Sequence, residues 1–99
     1  MKGVTKACVK RMQRYLRKAG WYTTAYKIDG VWGSATTKAL QGFLGRQKGF
    51  PDNPAQSGGM NWATIMALQK YLRGKGLYKR AVDGKWGSYT AQAVMRCPW

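Results

Sequence analysis

The chain has 99 residues, 44% of them apolar, enough for one small domain or two very small units sharing a core, and not the composition of a disordered tail. Eighteen Lys and Arg stand against three acids, all Asp, giving a net charge of +15, so the surface favours a polyanion: nucleic acid, an anionic membrane or an anionic wall polymer. No apolar run approaches the roughly 18 residues of a membrane span, and Met1 to Lys6 lacks the apolar core of a signal peptide, so neither membrane insertion nor an export signal is expected.

Residues 5–19 have the spacing of an amphipathic helix. Thr5 is placed to cap it, Cys8, Val9, Met12, Tyr15, Leu16 and Ala19 form its apolar stripe, and Gly20 stops it. The opposite face carries Lys6, Lys10, Arg11, Arg14, Arg17 and Lys18, a run of cations that repel one another at i,i+4 spacing. A second helix is predicted from Ser34 to Gly45, with Thr36, Ala39, Leu40, Phe43 and Leu44 inside. Residues 45–60, with Pro51, Asn53, Pro54 and several glycines, read as the longest connection. Asn61 then caps a third helix burying Ile65, Leu68, Tyr71 and Leu72, which ends at Gly74 or Gly76. The fourth starts at Ser88, buries Thr90, Ala93, Val94 and Cys97, and ends before Pro98. Only Tyr26–Ile28 and Ala81–Val82 suggest short extended pieces, so the fold class is mostly α.

The segment Ile28-Asp29-Gly30-Val31-Trp32-Gly33-Ser34 returns as Val82-Asp83-Gly84-Lys85-Trp86-Gly87-Ser88, and each copy follows a Gln-basic-Tyr-Leu-Arg run, at Gln13 to Arg17 and at Gln69 to Arg73. The chain is an internal duplication. A finer repeat lies within it: residues 30–44 align without gaps on 58–72, and 84–95 follow the same pattern. Four related helix units with alternating long and short loops account for this.

Two cysteines, Cys8 and Cys97, both on apolar stripes, leave two readings open: small buried thiols, or a disulfide joining the two ends of the chain. Catalysis finds little to work with. Glycoside hydrolysis ordinarily needs two carboxyl groups at one bond, yet Asp29 and Asp83 occupy equivalent places in different copies and Asp52 lies in the connection. Without His, hydrolytic zinc sites and Ser-His or Cys-His pairs have no basis. No enzyme activity, cofactor or metal is expected.

The order apolar-x-x-Met/Leu-Gln-x-Tyr-Leu, a glycine stop, an aromatic residue, then Asp-Gly-x-Trp-Gly-Ser-x-Thr resembles the peptidoglycan-binding domain found on bacterial wall hydrolases and phage endolysins. Val9, Met12, Gln13, Leu16, Gly20, Asp29, Gly30, Trp32, Gly33, Thr36, Ala39 and Leu40 carry the resemblance in the first copy. Ile65, Leu68, Gln69, Leu72, Gly76, Asp83, Gly84, Trp86, Gly87, Thr90, Ala93 and Val94 carry it in the second. It implies two tandem three-helix repeats packed as one compact unit, at 5–44 and 61–97, joined by residues 45–60. It also implies a non-catalytic module that holds a lysin or wall hydrolase on peptidoglycan, at the extracellular cell wall. Such a module is either excised from a longer enzyme or translated separately. The unusual positive charge suits a wall rich in teichoic-acid phosphates as well as muropeptide.

Eight residues are candidates for ligand contact: Trp21, Tyr22, Tyr26, Asp29, Trp32, Tyr78, Asp83 and Trp86. An Asp before Gly accepts backbone N–H groups in a turn, and its carboxylate can also receive an amide or hydroxyl from sugar or stem peptide. Trp32 and Trp86 fit the gap between turn and helix, and exposed edges would stack on sugar rings. Trp21, Tyr22 and Tyr26 cluster where the copies differ, since the second keeps only Tyr78 and has Leu77 in place of the tryptophan. The alternative is a small basic nucleic-acid-binding protein, suggested by Tyr15-Leu16-Arg17-Lys18 and Tyr78-Lys79-Arg80 but supported by no recognised nucleic-acid motif. A third reading, membrane activity of the first helix, rests on its cationic face alone.

Overall fold

The computed structural model describes residues 2–22, 26–46, 59–96 and 99. These form four helices, α1 (Lys6–Lys18), α2 (Ser34–Gly45), α3 (Trp62–Gly74) and α4 (Ser88–Met95), and no strand among the described residues. The pieces expected to be extended, 26–28 and 81–82, are irregular. Most of the 45–60 connection, Cys97 and Pro98 lie outside the described residues, and so does the choice between thiols and disulfide.

Capping divides the helices into two kinds. Thr5 Oγ1 accepts the Cys8 N–H at 3.3 Å and Asn61 Oδ1 accepts the Thr64 N–H at 2.9 Å, so α1 and α3 begin with side-chain caps. α2 and α4 begin after Gly33 and Gly87, which have no side chain to offer. At the other end, α1 and α3 stop alike: Trp21 N–H returns to Leu16 O at 2.8 Å and Leu77 N–H to Leu72 O at 2.9 Å, around Gly20 and Gly76.

Consecutive helices pack on each other, α1 on α2, α2 on α3 and α3 on α4. The two ends of the chain also meet, because Thr5 N–H donates to Met95 Sδ at 3.2 Å and the buried Cys8 Sγ lies 3.4 Å from Val94 O. The core holds Met12, Leu16, Leu40, Leu44, Leu68, Leu72 and Val94, all essentially without exposure. Each such leucine contributes about 1.5–3 kcal/mol by burial. Of the expected stripe residues, Ala19 is exposed because α1 ends one residue before it, and Tyr15 is half-buried.

The helices start 28, 28 and 26 residues apart, at Lys6, Ser34, Trp62 and Ser88. Tyr15, Phe43 and Tyr71 occupy the same place in three successive helices and touch edge to face, with centroids 5.4 and 5.3 Å apart; Trp99 stacks on Tyr71 at 6.1 Å. Burial beside Tyr15 pushes the Tyr71 phenol up to about 12. The described residues are therefore organised as four related helix units in series. Two separate three-helix repeats are not seen among the described residues, where α2 packs on both α1 and α3.

Candidate ligand-binding surface

Three glutamines spaced 28 residues apart, Gln13, Gln41 and Gln69, are fully buried, and each ties its helix to the start of the next. Gln13 Nε2 donates to Thr36 Oγ1 (2.9 Å), Val31 O (3.1 Å) and Asp29 Oδ1 (3.1 Å), while its Oε1 accepts Gly30 N–H at 3.0 Å. Gln41 Nε2 reaches Thr64 Oγ1 and Gly59 O, each at 2.9 Å. Gln69 Nε2 has Thr90 Oγ1 (3.0 Å), Lys85 O (3.1 Å), Asp83 Oδ1 (3.1 Å) and Tyr78 OH (3.2 Å) in range, and its Oε1 accepts from Asp83 N–H and Gly84 N–H. Two protons serve those four acceptors, so the bonds are shared. Each amide thus replaces water for a turn whose backbone would otherwise be buried unpaired. This role was missed at the level of sequence, although a glutamine inside an apolar stripe, repeated every 28 residues with a threonine 21–23 residues later, is a readable signal.

Asp29 and Asp83 complete these turns. Asp29 Oδ1 accepts Val31 N–H at 2.9 Å and Asp83 Oδ1 accepts Lys85 N–H at 3.0 Å. Those backbone donors, then the Gln13 and Gln69 amides, hold both carboxyls below the usual carboxylate range. Gly30 and Gly84 follow with φ of +75° and +73°. A side chain there is excluded twice, by that conformation and by space: a Cβ at Gly30 would lie 3.0 Å from Lys6 O, and one at Gly84 the same distance from Trp62 O.

Trp32 and Trp86 are half-buried and meet edge to face at 5.6 Å, which brings the two repeated turns together. Trp32 Nε1–H donates to Thr37 Oγ1 at 3.1 Å, and Trp86 Nε1–H to Lys2 O at 2.8 Å. Tyr22 and Tyr78 are buried, and their hydroxyls donate to Lys27 O and Ala81 O, each at 2.7 Å. Their position suits them to bracing the loop more than to meeting a ligand. Arg17 and Arg73 brace the same loops through the carbonyls of Tyr26 and Arg80.

The remaining candidates face outward to different degrees. Trp21 is half-buried with the Arg46 guanidinium 5.7 Å from its ring; Tyr26 is 50% exposed and lies 5.8 Å from Tyr22. In the second half, Tyr89 is 51% exposed with the Arg80 guanidinium 3.9 Å from its ring centroid. Both line a cavity of about 230 Å³ with Leu77, Lys79, Gln92 and Arg96. Trp62 and Val31 are exposed as well. Tyr89 and Trp62 could have been found as the aromatic residues that fall off the apolar stripes of their helices.

No helix among the described residues is long and apolar enough to cross a membrane, and no metal-ligating cluster occurs among them. No curated protein and no solved structure matches the chain. Residues 5–48, a little under half of the sequence, match the family model described as putative peptidoglycan binding domain. That segment holds α1, the Gln13-braced turn and α2, so it is over these elements that the chain is similar to the peptidoglycan-binding domain family.

Proposed function

We propose that this chain is a non-catalytic wall-binding module that holds a peptidoglycan hydrolase, such as a lysin, on its substrate. The observation that carries the reading is the family match over the first turn and its two helices. On this reading residues 5–44 and 61–97 are two related halves joined by 45–60, and the ligand is peptidoglycan or its muropeptides, with teichoic acid as a second anionic component. Exposed Tyr26 and half-buried Trp21 and Trp32 offer apolar faces to pyranose rings. Asp29 keeps a second carboxylate oxygen able to accept from an amide or hydroxyl, since Gln13 and Val31 both donate to Oδ1. In the second half Asp83 and Trp86 take the equivalent places. Tyr22 and Tyr78 act by holding the loops, and the cationic face of α1 supplies long-range attraction.

Cosedimentation with purified Gram-positive walls tests this directly. The chain is expected in the pellet at low and at physiological salt, with part of the binding surviving removal of teichoic acid. Recovery in the supernatant at low salt would contradict the proposal. Tight binding to DNA that collapses with salt, without wall binding, would favour the nucleic-acid alternative.

A further inference from the structure

The cavity between residues 76–80 and α4 lies in the half of the chain that the family match does not cover. Its lining brings three cations, Lys79, Arg80 and Arg96, to one concave surface with Gln92 and Tyr89, and includes no carboxylate. Tyr89, Gln92 and Arg96 follow one another at i, i+3 and i+7 along α4 and its last turn, so they share a face. Arg80 comes from the opposite wall and rests on the Tyr89 ring, a contact that restrains a long side chain before any ligand arrives. Neither Asp29 nor Asp83 is among the residues lining this cavity; each carboxylate accepts the backbone N–H groups of its own turn.

Equivalent positions in the first half are built differently. Tyr26 stands at the place of Arg80, as the matching bonds from Arg17 and Arg73 show; Ala35, Lys38 and Gly42 stand at those of Tyr89, Gln92 and Arg96. The repeat therefore does not require these residues for its framework. Among the described residues, their convergence belongs to the second half.

We propose that this cavity is a phosphodiester site, with Arg80 and Arg96 holding the phosphate oxygens, Lys79 adding charge, Gln92 bonding an adjacent hydroxyl, and Tyr89 fixing Arg80. Resting on the wall-binding reading, the occupant is one unit of a polyol-phosphate wall polymer. The size of the cavity admits one small anionic unit, and Arg80 already covers one face of the ring on which a nucleobase would stack.

The probe is a glycerol phosphate oligomer titrated into the isotopically labelled full chain, with backbone amides and the Gln92 side-chain amide followed by NMR. Saturable shifts are expected at Lys79, Arg80, Tyr89, Gln92 and Arg96. R80Q/R96Q, which alters two exposed side chains, is expected to weaken binding at least about tenfold. K27Q/K38Q removes the same charge from exposed positions of the first half and is expected to cost no more than about twofold. Equal weakening by both variants, or shifts spread over the α1 cations, would overturn the site in favour of diffuse attraction. Tighter binding of a thymidine oligonucleotide at these residues would overturn the assignment of the occupant. Sedimentation on walls stripped of phosphate polymers separates the two proposals: binding there without a response to glycerol phosphate sinks this site and leaves the wall reading standing.

Discussion

Around the first turn Gln13 gathers Asp29, Gly30, Val31 and Thr36; around the second, Gln69 gathers Asp83, Gly84, Lys85 and Thr90 through the same kinds of atoms. Outside that framework the halves part. The first presents Tyr26 on the turn above a helix face of Ala35 and Gly42, and the second presents Arg80 on the turn above Tyr89 and Arg96. The two turns share the residues that make them fold and differ at Tyr26 against Arg80 and at Ala35 and Gly42 against Tyr89 and Arg96. On the proposed wall-binding function, the differing positions are where specificity is expected.

The strongest way to break this comparison is to remove the glutamine. Q69L leaves the Gly84 N–H, the Lys85 carbonyl and the Thr90 hydroxyl without their buried partner, and chemical denaturation should show a loss of about 3 kcal/mol or more. Q13L should cost less, since Thr36 Oγ1–H still donates to Val31 O at 3.1 Å and the Gly30 N–H is the group left without its partner. An unchanged stability for either would mean that the amide does not hold its turn. Next in size are G30A and G84A, each expected to cost about 1–3 kcal/mol through the positive φ. G84A should be the worse of the two, because its new methyl group meets the Trp62 backbone and Cβ, whereas at Gly30 much of the conflict is with the side chain of exposed Lys6.

Such turns explain how far the residues alone could be read. Helix starts at Ser34 and Ser88 and the stops near Gly20 and Gly76 follow from local chemistry, and the structure keeps them. Tyr22 and Tyr78 were harder, because a tyrosine in a loop between helices has the same local pattern whether its hydroxyl meets a ligand or a backbone carbonyl. Only the folded chain brings Lys27 O and Ala81 O to those hydroxyls. Arg80 was visible as part of an aromatic-basic run, but its contact with Tyr89 depends on the packing of the turn against α4. Neither the series of shared helices nor the meeting of Trp32 with Trp86 is a local property.

Smaller effects sharpen the contrast at the surface. Y26A should lower affinity for phosphate-free peptidoglycan by about fivefold, the worth of one aromatic contact, and leave folding intact, because the ring is half exposed. It should leave glycerol phosphate binding unchanged, while R80Q/R96Q should do the reverse. A variant that reduced both equally would erase the division between the halves.

Acid titration should produce the mildest change. Both Asp29 and Asp83 have carboxyls depressed below their ordinary value of 3.8 by their turns, so they bind protons less readily folded than unfolded. Their contribution is complete above that ordinary value and disappears as pH falls through the depressed one. Thermal melts should therefore be insensitive to these groups from pH 7 to about 5 and move to lower temperature below about 4. D29N/D83N should flatten that acid limb.

The most direct measurement of the central claim is a titration of the labelled chain with phosphate-free muropeptides, read residue by residue from backbone amide shifts. The account predicts saturable shifts in the first half, at Trp21, Tyr26 and residues 29–32, with the α1 cations little affected. No shift at saturating muropeptide, or shifts confined to Lys10, Arg14 and Lys18, would contradict it.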